Sequence, residues 1–156
     1  MKRSLFILAA LATLPAWAER VGLPAGMPPA YKAECGGCHT PFPPGLLSAA
    51  AWQTTIAGLD KHFGTDASLD ARTAGEIAAW LQRNASRGMD PIGKEPRLTT
   101  TAWFTREHRE VPARTWRDSR IKSAVNCAAC HQGADQGRYG EREISVPGRG
   151  RHREDD

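Results

Sequence analysis

The sequence predicts a mainly α-helical, loop-rich fold with no substantial β-sheet. Apolar residues recur at three- and four-residue spacing over residues 46–59 and 69–84, which is typical of amphipathic helices. No stretch alternates apolar and polar residues over the length of a half-buried strand. The chain also carries 15 glycines and 11 prolines among its 156 residues, and both residue types interrupt helices. We therefore expect short helices, irregular loops and a small apolar core.

Residues 1–18 have the features of an export signal in the required order. Lys2 and Arg3 supply a positive start, residues 5–14 supply an apolar run, and the small-x-small triplet Ala-Trp-Ala follows. The apolar run is too short to span a bilayer. The pattern predicts a signal peptide that is cleaved after Ala18.

The first half is expected to hold two helices and several irregular segments. Pro41, Pro43 and Pro44 exclude a helix after the first short one, and Ser68 or Asp66 is expected to cap the longer helix. In chain order we predict an extended arm over 21–29, a short helix over 30–38, a loop over 40–44, a helix over 46–59 and a longer helix over 69–84.

The second half begins after a Gly- and Pro-rich stretch at 86–101, where we place the connection between two domains. Beyond residue 147 the chain is charged and Gly/Arg-rich, which favours disorder. The predicted elements are a short helix over 101–110, a helix over 114–125, an extended segment over 139–147 and a disordered tail over 148–156.

Two pentapeptides of the form Cys-x-x-Cys-His contain every cysteine of the chain. Two thiols at this spacing can reach the two vinyl groups along one porphyrin edge, and the adjacent histidine can bind the iron. The pattern therefore predicts two covalently attached c-type haems, with one proximal histidine each. The residues are Cys35, Cys38 and His39 in the first motif, and Cys127, Cys130 and His131 in the second.

Other chemistries for these cysteines are weaker. A thioredoxin-like pair needs a βαβ context that the flanking sequence lacks, and a disulfide inside Cys-x-x-Cys would be strained. One zinc ion could bind ligands from both motifs, but some thiolates or imidazoles would then be surplus. Because c-type haem is attached outside the cytoplasm, the signal peptide and the motifs together predict a bacterial periplasmic protein.

Each haem iron takes a second axial ligand, and one spare histidine lies in each half. His62 stands 23 residues after His39, and His108 stands 23 residues before His131. Both spare histidines adjoin aromatic residues, whereas His152 lies in the charged tail and is expected to be solvated. We predict histidine at both axial positions of both irons, with His62 and His108 as the distal ligands.

Methionine is the alternative distal ligand. Met89 lies 50 residues after His39 in a loop, and Met/His ligation gives a higher potential than two imidazoles. If Met89 bound the first haem, His62 would have no assigned role, so Met89 ranks second. Met27, in the Pro-rich arm, is a weaker candidate.

The charge balance does not favour nucleic-acid binding. The full chain has 21 Lys and Arg against 17 Asp and Glu, a formal net charge of +4. Removal of Lys2 and Arg3 with the signal lowers this to +2, and haem propionates would lower it further. No interleaved basic and aromatic motif is present, nor a recognisable catalytic triad or phosphate loop. We predict that the protein is not an enzyme.

Taken with these motifs, the chain resembles the periplasmic dihaem cytochromes c of the DHC type. The haem pentapeptides are specific for haem, and the histidine-bearing segments narrow the resemblance to this family. The segments are 58–69 (Gly-Leu-Asp-Lys-His-Phe-Gly-Thr-Asp-Ala-Ser-Leu), 76–81 (Glu-Ile-Ala-Ala-Trp-Leu), 104–111 (Phe-Thr-Arg-Glu-His-Arg-Glu-Val), 123–131 and 139–144 (Tyr-Gly-Glu-Arg-Glu-Ile).

The resemblance implies a first haem domain over 19–88, similar to a shortened class I cytochrome c, a linker over 89–101 and a second haem domain over 102–147. It also implies low-potential, bis-histidine irons with His62 and His108 as distal ligands.

The same resemblance implies electron transfer with a small periplasmic haem protein and, on the other side, a membrane cytochrome b. A dihaem peroxidase or an O2- or NO-binding sensor is the alternative, and it would need one displaceable axial ligand.

Overall fold

The computed structural model describes residues 21–148. The predicted signal peptide, His152 and all of the predicted tail except Gly148 lie outside the described residues. Within 21–148 the structure is helical, with four isolated β-bridges and no strand, which confirms the mainly α, loop-rich fold class. None of the helices in that range is long and apolar enough to cross a membrane.

Four α-helices form the regular part of the segment that the structure describes. They are α1 (Ala49–Ala57), α2 (Ala71–Asn84), α3 (Ala102–Glu107) and α4 (Ala113–Trp116). Single helical turns connect them or carry the cysteine motifs. These turns are Tyr31–Cys35, Pro44–Leu46, Leu59–Lys61, Leu98–Thr100, Cys127–Ala129, Ala134–Gln136 and Glu141–Glu143.

Helix α2 begins at a cap that the sequence did not predict. The Asp70 carboxylate accepts hydrogen bonds from the backbone N–H groups of Arg72 and Thr73, both at 3.0 Å, which satisfies donors left free at a helix N-terminus. The prediction that Ser68 or Asp66 caps this helix is wrong. Asp66 instead accepts from the Ser68 N–H at 2.9 Å and closes the preceding turn.

The core lies where α1 and α2 pack together. Ile77 and Leu81 of α2 are completely buried, and Trp80 is 2 % exposed, as their helical spacing predicts. Trp52 of α1 is buried against them, and its indole N–H donates to the Pro44 carbonyl at 2.7 Å. Because that donor is paired, the bulky ring is buried without an unsatisfied polar group.

The stretch predicted as a linker, 89–101, contributes to the same core. Leu98 and Thr101 are buried, and Leu98 belongs to one apolar cluster with residues of α1, α2 and α3. The Thr101 hydroxyl accepts from the Phe104 N–H at 3.1 Å and caps α3. The division into two haem domains stays a prediction, and side chains from both halves share this cluster.

The predicted helix over 114–125 is wrong. Helix α4 ends at Trp116, after four residues. The Asp118 carboxylate accepts the Arg120 N–H at 2.9 Å, a local bond that competes with helix continuation. Lys122 then has φ +62°, a left-handed conformation that an α-helix cannot contain. The second cysteine motif is therefore approached by turns.

Replacing Leu81 by Ala is expected to lower the free energy of unfolding by about 2–5 kcal/mol, because a fully buried leucine leaves a cavity that neighbours fill only partly. Chemical denaturation of the haem-loaded protein measures this change. Gln82→Ala, at the exposed neighbouring position, is the control and should change stability little. Equal effects of the two substitutions would contradict the assigned core.

Candidate haem sites

The first cysteine motif starts on the turn Tyr31–Cys35. The Tyr31 hydroxyl donates to the Phe42 carbonyl at 2.6 Å, which ties the turn to the loop beyond the motif. Gly36 follows Cys35, and a Cβ atom there would lie 2.3 Å from the Lys32 carbonyl oxygen. Only glycine fits at this position, because any side chain would clash with the backbone of the preceding turn.

His39 is fixed from two sides by the proline-rich loop. Its Nδ1 donates to the Thr40 carbonyl at 2.8 Å. Its ring stacks on Phe42 with a centroid separation of 4.6 Å and an interplanar angle of 14°. A hydrogen bond to the second ring nitrogen of a metal-binding histidine sets its orientation and tautomer.

His62 faces His39 across a gap. It follows the turn Leu59–Lys61, and the two ring centroids are 6.2 Å apart at an interplanar angle of 31°. A metal–imidazole bond is about 2.0 Å and the bonded nitrogen lies about 1 Å from the ring centre, so two axial imidazoles on one metal have centroids roughly 6 Å apart. The pair has the separation that one haem iron requires.

The second motif lies on the turn Cys127–Ala129. The His131 N–H donates to the Cys127 carbonyl at 2.8 Å, and the Ser145 N–H donates to the Cys130 carbonyl at 2.8 Å. The segment after the motif thus folds back along it. Tyr139, from this returning segment, packs its ring 5.4 Å from that of His131.

His108 faces His131 with the same separation. Their ring centroids are 6.2 Å apart, but here the planes are at 78°. The Nδ1 of His108 donates to the Phe104 carbonyl at 2.9 Å, and the imidazole stacks on the Phe104 ring at 4.0 Å and 21°. Each spare histidine therefore lies opposite the motif histidine of its own half.

A cavity of about 600 Å³ surrounds the second pair. Its wall includes His108, His131 and both cysteines of the motif, together with residues of the first half. These are Val21, Gly45 and Leu46, and the connecting stretch adds Ser86 and Met89. Met89, the alternative distal ligand for the first haem, lies in the wall of this second cavity, and Met27 packs against the apolar core.

A buried ring N–H group tests whether these sites fit a haem. Within residues 21–148, the side-chain N and O atoms that are buried without a hydrogen-bond partner are Trp80 Nε1 and His131 Nδ1. Trp80 packs on Tyr31, at 4.9 Å, in the cluster that contacts Cys35. Buried donors are normally paired, so the Trp80 indole fits a site completed by a group with its own acceptors, such as haem propionates. The Nδ1 of His131 would point away from an iron bound at Nε2, so it does not bear on the fit. The cavity at the second site, with two cysteines and two facing imidazoles in its wall, also fits a haem.

The cysteines do not have the properties of a redox pair or a zinc site. Burial raises the pKa of the Cys35 and Cys127 thiols to about 11, whereas reactive thiol pairs have lowered values. All four cysteines are free of disulfide bonds. In the part of the chain that the structure describes, no three His, Cys, Asp or Glu side chains converge to hold a metal ion directly.

A profile of the dihaem cytochrome c family, DHC, matches residues 31–139 of this chain. The chain belongs to the dihaem cytochrome c family. It therefore binds two c-type haems with iron, consistent with a role in electron transfer.

Solved structures agree with this assignment. The cytochrome is 35 % identical to the dihaem cytochrome c sb-DHC from Shewanella baltica OS155, with a TM-score of 0.69 over 79 % of this chain and 95 % of that one. It is 36 % identical to a dihaem cytochrome c from Rhodobacter sphaeroides, with a TM-score of 0.65 over 73 % and 98 % of the two chains. A second structure of DHC from Rhodobacter sphaeroides is 39 % identical, with a TM-score of 0.62 over 72 % of this chain and 96 % of that one. No curated protein matches the cytochrome.

The sequence reasoning missed the side chains that orient the histidines. Phe104 and His108 are four residues apart, a spacing at which helical side chains meet, so this contact was readable from the sequence. The contact of Tyr139 with His131 depends on the folding back of the chain after the motif, which no local pattern indicates.

Intact-mass measurement of the mature cytochrome should give the polypeptide plus two haems. Replacing Cys127 and Cys130 by Ala removes both thioether donors of one motif, so the product should retain a single covalent haem after denaturation. The matched variant at Cys35 and Cys38 should behave in the same way. Retention of two covalent haems by either variant would contradict attachment at that motif.

Proposed function

We propose that this cytochrome is a periplasmic electron carrier in which both haem irons have two imidazole axial ligands. His39 and His62 would bind the first iron, and His131 and His108 the second. The observation that carries the proposal is the facing arrangement of each pair, with ring centroids 6.2 Å apart at both sites. The separation equals that of two imidazoles on one metal ion, and the pairs lie beside the two cysteine motifs.

The chain would supply both axial ligands of each iron and lower its reduction potential. Each haem, when bound, supplies a one-electron iron couple. The Thr40 and Phe104 carbonyls accept from the Nδ1 atoms of His39 and His108, which makes these ligands more basic. More basic ligands favour the oxidised iron, and bis-histidine ligation already gives a lower potential than Met/His ligation. These contacts support low potentials at both haems.

The predicted signal peptide, residues 1–18, supports a periplasmic location. The partners would be a small periplasmic haem protein and a membrane cytochrome b, bound transiently. Two exposed apolar side chains adjoin the sites: Phe63, 43 % exposed, contacts His62, and Ile144, 44 % exposed, lines the second cavity. Small patches of this kind suit the limited interfaces of electron-transfer encounters.

A gas-binding or peroxidase-like role is the second candidate, and it requires a displaceable axial ligand. One observation favours it at the first site: the His62 imidazole forms no hydrogen bond with any residue of 21–148. A dedicated carrier would keep both irons low-spin in both oxidation states. A gas binder or peroxidase of this kind would instead lose one axial imidazole to a small molecule.

Electron paramagnetic resonance of the oxidised, haem-loaded cytochrome should show two different low-spin signals and no high-spin iron. Ligand planes 31° apart at the first site should give a rhombic signal, whereas planes 78° apart at the second should give a strongly anisotropic one with a large maximal g value. High-spin iron at rest would contradict bis-histidine ligation. Two rhombic signals would contradict the second angle.

The Phe104→Leu variant tests the origin of the second signal. Loss of the stacked ring frees the His108 plane, so the strongly anisotropic signal should broaden or shift while the rhombic one stays. Phe42→Leu is the matched control, because it removes the ring stacked on His39 and should alter the rhombic signal alone. If both variants changed the same signal, the assignment of one signal to each site would be wrong.

Spectroscopic redox titration tests the distal ligands individually. Replacing His62 by Met should raise one of the two potentials on the order of 0.1–0.2 V, within the range of about 0.8 V that axial ligands span. His108→Met should raise the other potential by a similar amount. A shift of the same haem in both variants would contradict the assignment of one distal histidine to each half.

A further inference from the structure

The two distal histidines are held in different ways. His108 ends α3, where it has both the hydrogen bond to the Phe104 carbonyl and the stacking contact with the Phe104 ring. Trp116 packs 5.8 Å from the same imidazole. Moving His108 away from His131 therefore requires loss of a hydrogen bond and two aromatic contacts, all on helices of the core.

His62 has a weaker hold. It follows a three-residue turn, and its imidazole has no hydrogen-bond partner between residues 21 and 148. Apart from His39, its aromatic neighbour is Phe63, which meets it edge-on at 4.8 Å and is itself partly exposed. Within residues 21–148, the His62 imidazole therefore lacks both the hydrogen bond and the stacked phenylalanine that His108 has.

The backbone beside His62 is strained. Phe63 has φ +48° and Gly64 has φ +94°, and the Thr65 N–H donates to the His62 carbonyl at 3.0 Å. These residues form a two-residue turn with both central positions left-handed, for which Asn-Gly is the favoured pair. A bulky aromatic residue is an outlier in this conformation, so movement of the loop would relieve the strain.

Arg97 holds this loop from outside. Its guanidinium lies 4.3 Å from the centroid of the Phe63 ring and also pairs with Glu95 at 2.8 Å. The two charged side chains are 47 % and 63 % exposed, so water and salt screen their interaction. A weak surface contact therefore opposes the opening of a strained turn.

The geometry points to His62 as a displaceable ligand, so that the first iron of the reduced cytochrome admits a small neutral molecule such as carbon monoxide while His108 keeps the second iron closed. This inference rests on the proposed bis-histidine ligation. The exchange is redox-neutral: the bond from a His62 nitrogen to iron breaks and its lone pair stays on the imidazole. The carbon lone pair of carbon monoxide forms the new bond. The first site would thus bind small gases, and the second would serve electron transfer alone.

Carbon monoxide titration of the reduced, haem-loaded cytochrome tests this by stoichiometry. The wild type should bind one molecule per chain slowly, after starting from two low-spin irons. His62→Ala should still bind one molecule, but at least ten times faster, because no ligand has to leave. His108→Ala should bind two, one fast and one slow. No binding by the low-spin wild type would overturn the inference and leave the proposed carrier function intact.

Other outcomes separate the two proposals. If His62→Ala binds two molecules and His108→Ala one, the second iron is the one that opens and the inference is wrong. A high-spin iron in the untreated wild type would refute bis-histidine ligation itself, and the inference with it.

A milder variant keeps the test independent of ligand removal. Arg97→Gln leaves both histidines in place and removes the cation–π contact. Carbon monoxide should therefore bind the first iron about two to five times faster than in the wild type. Arg114→Gln, an exposed position on α4, makes the same change of charge and should leave the rate unchanged. Equal rates for wild type and Arg97→Gln would overturn the role of the Phe63 loop.

Discussion

The constraint on which this structure depends is the gap between two facing imidazole rings. The gap has the same width at both sites, although the surrounding elements differ. One imidazole of each pair is held by short-range contacts, namely a backbone carbonyl that accepts from its Nδ1 and a stacked phenylalanine. Residues 21–148 contain only two helices longer than six residues. They can hold such gaps because each gap is built locally and then packed against a common core.

The same pair of contacts, a carbonyl acceptor and a stacked phenylalanine, holds the motif histidine at the first site and the facing histidine at the second. At the first site the stacked and hydrogen-bonded imidazole is His39, which belongs to the cysteine motif. At the second it is His108, the partner of the motif histidine, while His131 has a buried Nδ1 without a partner among the described residues. Identical pentapeptide patterns therefore do not give equivalent iron environments. In the proposed sites the cysteines would set where each haem is bonded, and the neighbouring aromatic rings would set how firmly each imidazole is held.

Much of the site could be predicted from the sequence, because its chemistry is written in local patterns. The cysteine spacing indicated two haems, and one spare histidine in each half suggested the partners that the structure places opposite His39 and His131. The predicted helix over 114–125 was wrong because Asp118 accepts a hydrogen bond from the Arg120 N–H and forms a local turn instead. The plane angles could not be predicted, since they depend on how loops remote from each motif return to it.

Formation of the cavity at the second site depends on residues from both halves of the chain. Leu46, Ser86 and Met89 precede the second motif by dozens of residues and still line the space around His131. The N-terminal portion is synthesised first, so it can offer a finished surface on which the later segment closes. Damage to the packing of α1 and α2 would consequently alter the surroundings of the imidazoles at the distant C-terminal motif, even though thioether bonds would keep the haem attached there.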